Sequence, residues 1–477
     1  MERETFVGRK DELQQLQSLL KKKSASFVVV KGRRRIGKSR MLEEFSRNKK
    51  TYKITGLPPN EDTTKQEQLN EFARQFALAT GLPEVSTDDW SKMFALLAHE
   101  CKTGKIIVIL DEISWIGSED PNFLGKLKNA WDDQLKKNPN LMLIVCGSVS
   151  MWIDDNILNS KAFYGRITWT LELSPLPISD CNQLLLMQGF RGSTYEKLKL
   201  LSVTGGIPWY LELMQGNFSA DDNIQRQCFS KGGALFDEFH KIFHDVFGKQ
   251  DKMYKAIVEI LAKGAATYKS VSEKTGYKSS GRLTKYLTDL EKAGFISKDT
   301  TWSIKSGHEG KISYYRLSDN YMRFYLKYIA PKYKLISKGQ YKNRSLSSLS
   351  NWDTIIGLQF ENLVLENRSQ IADFLNIRAE DIVVDNPYIQ RPSKSQQGCQ
   401  IDYLIQTKAK NLYVCEIKFS RDSISSKVIS DVRTKINRLK VPRGYSVLPV
   451  LIHISGVSNH VVESEYFYET IDFSEFL

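Results

Sequence analysis

The sequence predicts an α/β fold, with a parallel sheet in the first half and a second, smaller sheet near the C-terminus. Three observations carry this. Apolar runs at 27–30, 106–110 and 141–146 have the length of strands buried on both faces. Between the first run and a helical pattern stands Gly32-Arg33-Arg34-Arg35-Ile36-Gly37-Lys38-Ser39, which fits G-x-x-x-x-G-K-[ST] at every fixed position. Strand patterns at 401–405 and 411–419 carry Asp402 on one strand and Glu416 and Lys418 on the next.

The elements follow in order. Phe6-Val7-Gly8-Arg9 reads as a turn before an amphipathic helix with Leu16, Leu19 and Leu20 at helical spacing. Residues 27–30 are a strand, and Leu42 and Phe45 place one helical face after the glycine motif. A second strand is expected at 52–56 and a helix at 68–78, where Leu69, Phe72 and Phe76 recur at three and four. The runs at 106–110 and 141–146 are the next buried strands, and 168–173 has strand character.

The glycine motif has the required order of strand, loop and helix. Glycines let the backbone wrap a phosphate, so that the loop from Gly32 through Arg33, Arg34, Arg35, Ile36 and Gly37 to the helix start at Lys38, Ser39 and Arg40 presents N–H groups to it. Lys38 is then expected to reach the β- and γ-phosphates and Ser39 Oγ to ligate Mg²⁺, which makes ATP and Mg²⁺ the expected cofactors. Asp111 and Glu112 end the strand at 106–110, where parallel sheets place ligands. Asp111 is the Mg²⁺-holding candidate and Glu112 the residue that polarises the attacking water. Ser148, at the end of the next strand, either senses the γ-phosphate or lytic water or makes a plain turn. Arg166 either neutralises transition-state charge, in cis or from a neighbouring subunit, or is a surface arginine.

Taken together, F-V-G-R-K-x-E-L, G-R-R-R-I-G-K-S, V-I-L-D-E-I, L-I-V-C-G-S, Y-G-R and Gly205-Gly206-Ile207-Pro208-Trp209-Tyr210 resemble, in that order, the archaeal-type ATPase family, a branch of the AAA+/STAND NTPases. The resemblance covers roughly the first half of the chain. It implies a P-loop NTPase sheet in the additional-strand order followed by a helical lid. It also implies nucleotide contacts for Gly8, Arg9 and Pro208.

The middle of the chain is expected to hold three short helices and a hairpin. Ile257, Ile260 and Leu261 mark the first, Thr267 caps the second, which stops at Gly276, and Ser279 and Ser280 start a third striped by Leu283, Tyr286, Leu287 and Leu290. Strands at 295–297 and 312–317 flank a polar tip at 306–308. The set resembles a winged helix-turn-helix, which either reads DNA through Lys278, Ser279, Arg282 and Lys285 or transmits nucleotide state. Further on, 354–371 reads as one helix carrying Glu361.

An acid and a base interrupt an apolar strand only when paired or used. Asp402 with Glu416-Ile417-Lys418 resembles the PD-(D/E)xK nuclease superfamily, with Glu361 as the frequent additional acid. That resemblance implies Mg²⁺ or Mn²⁺ on Asp402, Glu416 and Glu361, and a water- or phosphate-orienting Lys418. The other reading is a buried Lys–Glu pair bracing a sheet. Lys427, Arg433, Lys435, Arg438, Lys440 and Arg443 are expected to track a phosphate backbone.

The expected organisation is a P-loop ATPase core at 1–175, a helical lid at 176–250, a winged helix-turn-helix at 251–330, a linker at 331–350 and a PD-(D/E)xK-like α/β domain at 351–477. The net charge of +13, from 68 Lys and Arg against 55 Asp and Glu, is compatible with a polyanionic partner, DNA being the expectation, and equally with a solvated basic surface. Six scattered cysteines without a C-x-x-C pair argue for reduced thiols in a cytoplasm. The charged opening and the lack of a membrane-length apolar run point away from a signal peptide or an anchor. The expected function is an ATP-hydrolysing switch acting on a DNA-interacting, nuclease-like domain, with homo-oligomerisation open. The alternatives are a nucleotide-gated DNA-binding or scaffold protein with a silent nuclease fold, and a chaperone-like ATPase.

Overall fold

The computed structural model describes residues 6–58, 63–117, 119–148, 150–248, 251–277, 281–341, 345–394 and 396–477. Lys278, Ser279 and Ser280, invoked above, lie outside them. The chain divides into two compact units, 1–174 and 175–477.

In the first unit, α1 (Lys10–Leu20) precedes β1 (Ser26–Gly32), α2 (Lys38–Ser46), β2 (Thr51–Thr55), α3 (Lys65–Thr80) and α4 (Trp90–Glu100). Then come β3 (Ile106–Asp111), α5 (Ile113–Ile116), α6 (Phe123–Asp133), β4 (Leu141–Gly147), α7 (Ser150–Ile153) and β5 (Trp169–Leu173). The five strands form one parallel sheet in the order β2-β3-β4-β1-β5. An additional strand, β4, thus lies between the glycine-loop strand and the Asp111 strand. Every residue of β1, β3 and β4 is buried, as the continuous apolar runs require. Phe27, Phe72, Trp90, Phe94, Phe123 and Trp131 build the core on one face. The C-terminal ends of β1, β3 and β4 consequently open on one edge, and that edge carries the site.

The second unit starts with helices α8 (Ile178–Met187), α9 (Thr194–Thr204), α10 (Pro208–Glu212), α11 (Ala220–Cys228), α12 (Glu238–Phe247) and α13 (Asp251–Leu261). After β6 (Ala266–Thr267) and α14 (Tyr268–Thr275), α15 (Gly281–Lys292) leads into the hairpin β7 (Ile296–Trp302) and β8 (Glu309–Leu317). Thr267 accepts from the Ser270 N–H and Gly276 ends α14 at φ 72°, so both caps stand where the sequence puts them. Next are α16 (Asn320–Phe324) and α17 (Tyr333–Ser337). The expected linker packs: Tyr333 stacks on Phe236, Tyr341 on Phe229, and Ile336 is buried.

The expected single helix at 354–371 is two, α18 (Trp352–Glu366) and α19 (Arg368–Phe374). The break is Asn367, whose side chain accepts from the Ile178 N–H at 2.9 Å and donates to the Leu363 carbonyl at 2.7 Å. A side chain so engaged competes with the helical backbone. The last sheet holds β9 (Ile382–Gln390), β10 (Cys399–Thr407), β11 (Asn411–Ile417), β12 (Ser446–His453) and β13 (Glu469–Asp472), with α20 (Lys427–Arg438) crossing from β11 to β12 and α21 (Asn459–Glu463) from β12 to β13. Its order is β13-β12-β11-β10-β9, antiparallel from β9 to β11 and parallel from β11 to β13.

Candidate functional site

At the first site, β1 delivers Gly32 at φ 145°, where a Cβ would stand 2.8 Å from the Leu173 carbonyl, so only glycine passes. Gly37, at φ 89°, turns the loop into α2, whose first turn holds no acid to compete with a bound phosphate. Arg33 and Ile36 are buried, whereas Arg34, Arg35 and Arg40 are half-buried around the loop. Lys38 is buried and donates to the Gly32 and Arg33 carbonyls at 2.8 and 3.0 Å and to Ser148 Oγ at 3.1 Å. Burial pushes its pKa down, opposed by the charges of Glu112 and Asp111.

Ser39 Oγ donates to Asp111 Oδ2 at 2.8 Å. The hydroxyl and carboxylate oxygens side by side are the hard donor set Mg²⁺ takes, so the residues fit that ion. When bound, it would neutralise charge on the β- and γ-phosphates. Glu112 sits at φ 50° and commits both oxygens to Ser148, accepting from its hydroxyl at 2.7 Å and its N–H at 3.1 Å. Ser148 thereby joins Lys38 and Glu112. That chain and the Ser39–Asp111 bond together gather Lys38, Ser39, Asp111, Glu112 and Ser148 at three strand ends.

Other residues stand elsewhere. Gly8, at φ 76°, turns the chain into Arg9, itself left-handed at φ 59°. The Arg9 guanidinium donates to the Ile36 carbonyl at 3.3 Å and the Ser174 carbonyl at 2.6 Å, bracing the loop from behind. Arg166 is held by Asp132, with Nε 2.9 Å and Nη2 2.7 Å from Oδ2. That pairing, on α6, drives the Asp132 carboxyl far below the usual carboxylate range. Pro208 opens α10 in the second unit. Not legible in the motif is Lys31, buried beside Gly32 and paired with Asp154 at 2.8 Å and Glu172 at 3.0 Å. A lysine inside an apolar strand was the available signal.

The second site lies on β10 and β11. Ile417 N–H donates to Asp402 Oδ2 at 3.1 Å, and Lys418 Nζ stands 2.7 Å from Glu416 Oε1. Lys435 Nζ lies 2.5 Å from Glu416 Oε2 and 3.3 Å from Asp402 Oδ1. Expected on a phosphate-tracking surface, Lys435 instead points inward. It follows Val428 and Val432 by seven and three on the buried stripe of α20, and that spacing was the readable signal. Burial, then the charge of Glu416, pushes the Asp402 carboxyl up. Burial, then Asp402, lifts Glu361 on α18 to about 7, against Arg316, Arg323 and Lys435. Among the described residues no three His, Cys, Asp or Glu side chains are gathered to hold a metal. Two carboxylates do converge on one cation, and two suffice for Mg²⁺ when water and phosphate complete its shell. In that arrangement Asp402 and Glu416 would hold the ion.

Residues 6–214 match an ATPase domain described as predominantly from Archaea. An uncharacterized protein of Methanocaldococcus jannaschii is 28% identical over 365 residues, 76% of this chain and 76% of its own. An uncharacterized ATP-binding protein of the same organism is 40% identical over 45 residues, 9% of this chain and 76% of its own. Among solved structures, the Walker-type ATPase of Pyrococcus abyssi aligns with a TM-score of 0.52 at 18% identity, covering 68% of this chain and 97% of that one, a likeness of fold. Among the described residues no helix is long and apolar enough to cross a membrane. With the glycine loop and the Asp111–Glu112 pair inside the matched span, residues 6–214 are an ATPase domain of the archaeal type.

Proposed function

We propose that the protein is an ATP-binding and ATP-hydrolysing switch of the AAA+/STAND type, working with Mg²⁺ in the cytoplasm, whose nucleotide state controls a DNA-interacting, nuclease-like C-terminal region. The observation that carries this is the chain Lys38–Ser148–Glu112. A γ-phosphate that draws Lys38 off Ser148 disturbs the same hydroxyl that holds Glu112, so phosphate binding and release of the general base are linked. Glu112 freed from Ser148 can orient water; Glu112 held by it cannot. Gly8, Arg9 and Pro208 are proposed to contact the nucleotide when it is bound. Arg166 is proposed to act only once Asp132 lets it go, in cis or across a homo-oligomer.

For the C-terminal region, the order of α13, α14, α15 and the hairpin β7–β8 supports a winged helix-turn-helix, with Arg282 and Lys285 exposed on α15. Asp402 on β10, Glu416 on β11 and Lys418 just past its end support a PD-(D/E)xK-like domain, with Glu361 near enough to Asp402 to feel its charge. One observation favours the silent-nuclease alternative: an ammonium already stands between the two acids.

The test is ATP turnover with and without DNA, with cleavage followed in the same tube under Mg²⁺ and Mn²⁺. Turnover lost in Lys38→Ala, with cutting lost in Asp402→Ala and Glu416→Ala, supports the coupled enzyme. Turnover without cutting leaves the switch with a silent domain. Tight ATP binding by Lys38→Ala overturns the P-loop assignment.

A further inference from the structure

All four oxygens of the Asp402–Glu416 pair have a partner. Glu416 Oε1 faces Lys418 and Asp402 Oδ2 accepts the Ile417 N–H, which leaves Oε2 and Oδ1 to share the Lys435 ammonium. Those two oxygens are the pair a bridging divalent ion requires, at about 2.0–2.1 Å from each. Lys435 Nζ stands between them instead, 2.5 and 3.3 Å away, too close to leave room for an ion. The charge there is not incidental. Glu416 is only 2% exposed, and a carboxylate that deep needs a cation or suffers the full cost of burial. Burial disfavours the charge on Lys435 too, yet Asp402 and Glu416 outweigh it and its pKa is raised. Its side chain is 27% exposed, so Lys435 is not sealed in the core as Glu416 is. A lysine is a point charge on a flexible stem and can withdraw where a planar, bidentate arginine would stay.

We infer that Lys435 is a tethered cation in the divalent-ion seat between Asp402 and Glu416, and that a metal ion and the Lys435 ammonium exclude one another. The inference rests on the proposed metal reading of this site and adds what regulates it: loading requires Lys435 to leave. The site is therefore shut in the free protein and opens only when Lys435 is drawn off.

The experiment titrates Mn²⁺ into the 477-residue chain without nucleotide, in an Asp111→Asn background that silences the first site, and reads free Mn²⁺ by electron paramagnetic resonance. Lys435→Gln is expected to bind one ion roughly tenfold or more tighter than the unaltered site, because the competing charge is gone. Lys435→Arg, which keeps the charge, should bind no tighter, and adding Glu416→Gln to Lys435→Gln should remove the ion. Equal affinity in the unaltered site and in Lys435→Gln overturns the exclusion and leaves the metal site standing. No binding in either overturns both. A second measurement does not depend on any variant folding: saturating Mg²⁺ should speed acetylation of Lys435 relative to the exposed Lys427, read by mass spectrometry. Labelling of Lys435 that Mg²⁺ leaves unchanged overturns the inference.

Discussion

Glu112 and Ser148 make opposite demands on the first site. A general base needs a free carboxylate within reach of water, whereas Ser148 ties up both of its oxygens. On the proposed role of Glu112 as general base, Glu112→Gln keeps the shape and loses the base, so turnover should fall about a hundredfold or more while ATP affinity stays within a few-fold. Ser148→Ala separates the two readings of that residue. As a link between Lys38 and Glu112, its loss should lower turnover about tenfold; as a plain turn, it should leave turnover unchanged. Both are read by phosphate release at saturating ATP. Lys38, Ser39, Asp111 and Glu112 were legible because each is fixed by residues next to it in the chain. The partners of Lys435 and Arg166 were not, since Asp402 and Glu416 lie 33 and 19 residues from the one and Asp132 lies 34 from the other; for Lys435 only the spacing from Val428 and Val432 was readable.

At the scale of elements, burial spacing carried most of the reading. The rule that reads α3 reads α4 as well, with Trp90, Met93, Phe94 and Leu97 on one buried face. The break between α18 and α19 escaped it because Asn367 answers to Ile178, 189 residues away. Caps depend on charge as well as shape. Asp89 caps α4 by accepting from the Ser91 N–H at 2.8 Å, and Lys126 reaches its carboxylate at 2.8 Å. Lys126 first, and that N–H second, hold the Asp89 carboxyl down at about 2 against an ordinary 3.8. A depressed acid contributes stability above its ordinary pKa and loses it as pH falls through the folded value. Asp89→Ala should therefore lower stability by about 1 kcal/mol at pH 7, and the two proteins should converge in melting temperature between pH 4 and roughly pH 2. The carboxylate is partly exposed, so the difference should shrink at high salt.

In the whole molecule, the second unit ties its parts together by buried contacts. Trp302, at the end of β7, donates from its indole N–H to Gln406 Oε1 at 2.7 Å, and Gln406 returns a bond to the Ile304 carbonyl at 2.9 Å. The Trp302 ring meets Tyr388 edge-on at 4.9 Å. These contacts couple the hairpin to the sheet β9–β13, so the two are expected to unfold together. Trp302→Ala should lower the stability of this unit by roughly 3–5 kcal/mol, the range for losing a buried aromatic. Differential scanning calorimetry should show two transitions, with Trp302→Ala moving the one that belongs to 175–477. Mg²⁺–ATP should raise the other, by about 2.7 kcal/mol at a hundredfold excess over its dissociation constant. Control of the second unit by nucleotide state requires a coupling free energy between them, so ATP should shift the second transition too, by less. Lys38→Ala should abolish both shifts. A first transition that rises while the second stays put would leave an ATPase whose nucleotide state never reaches Asp402 and Glu416.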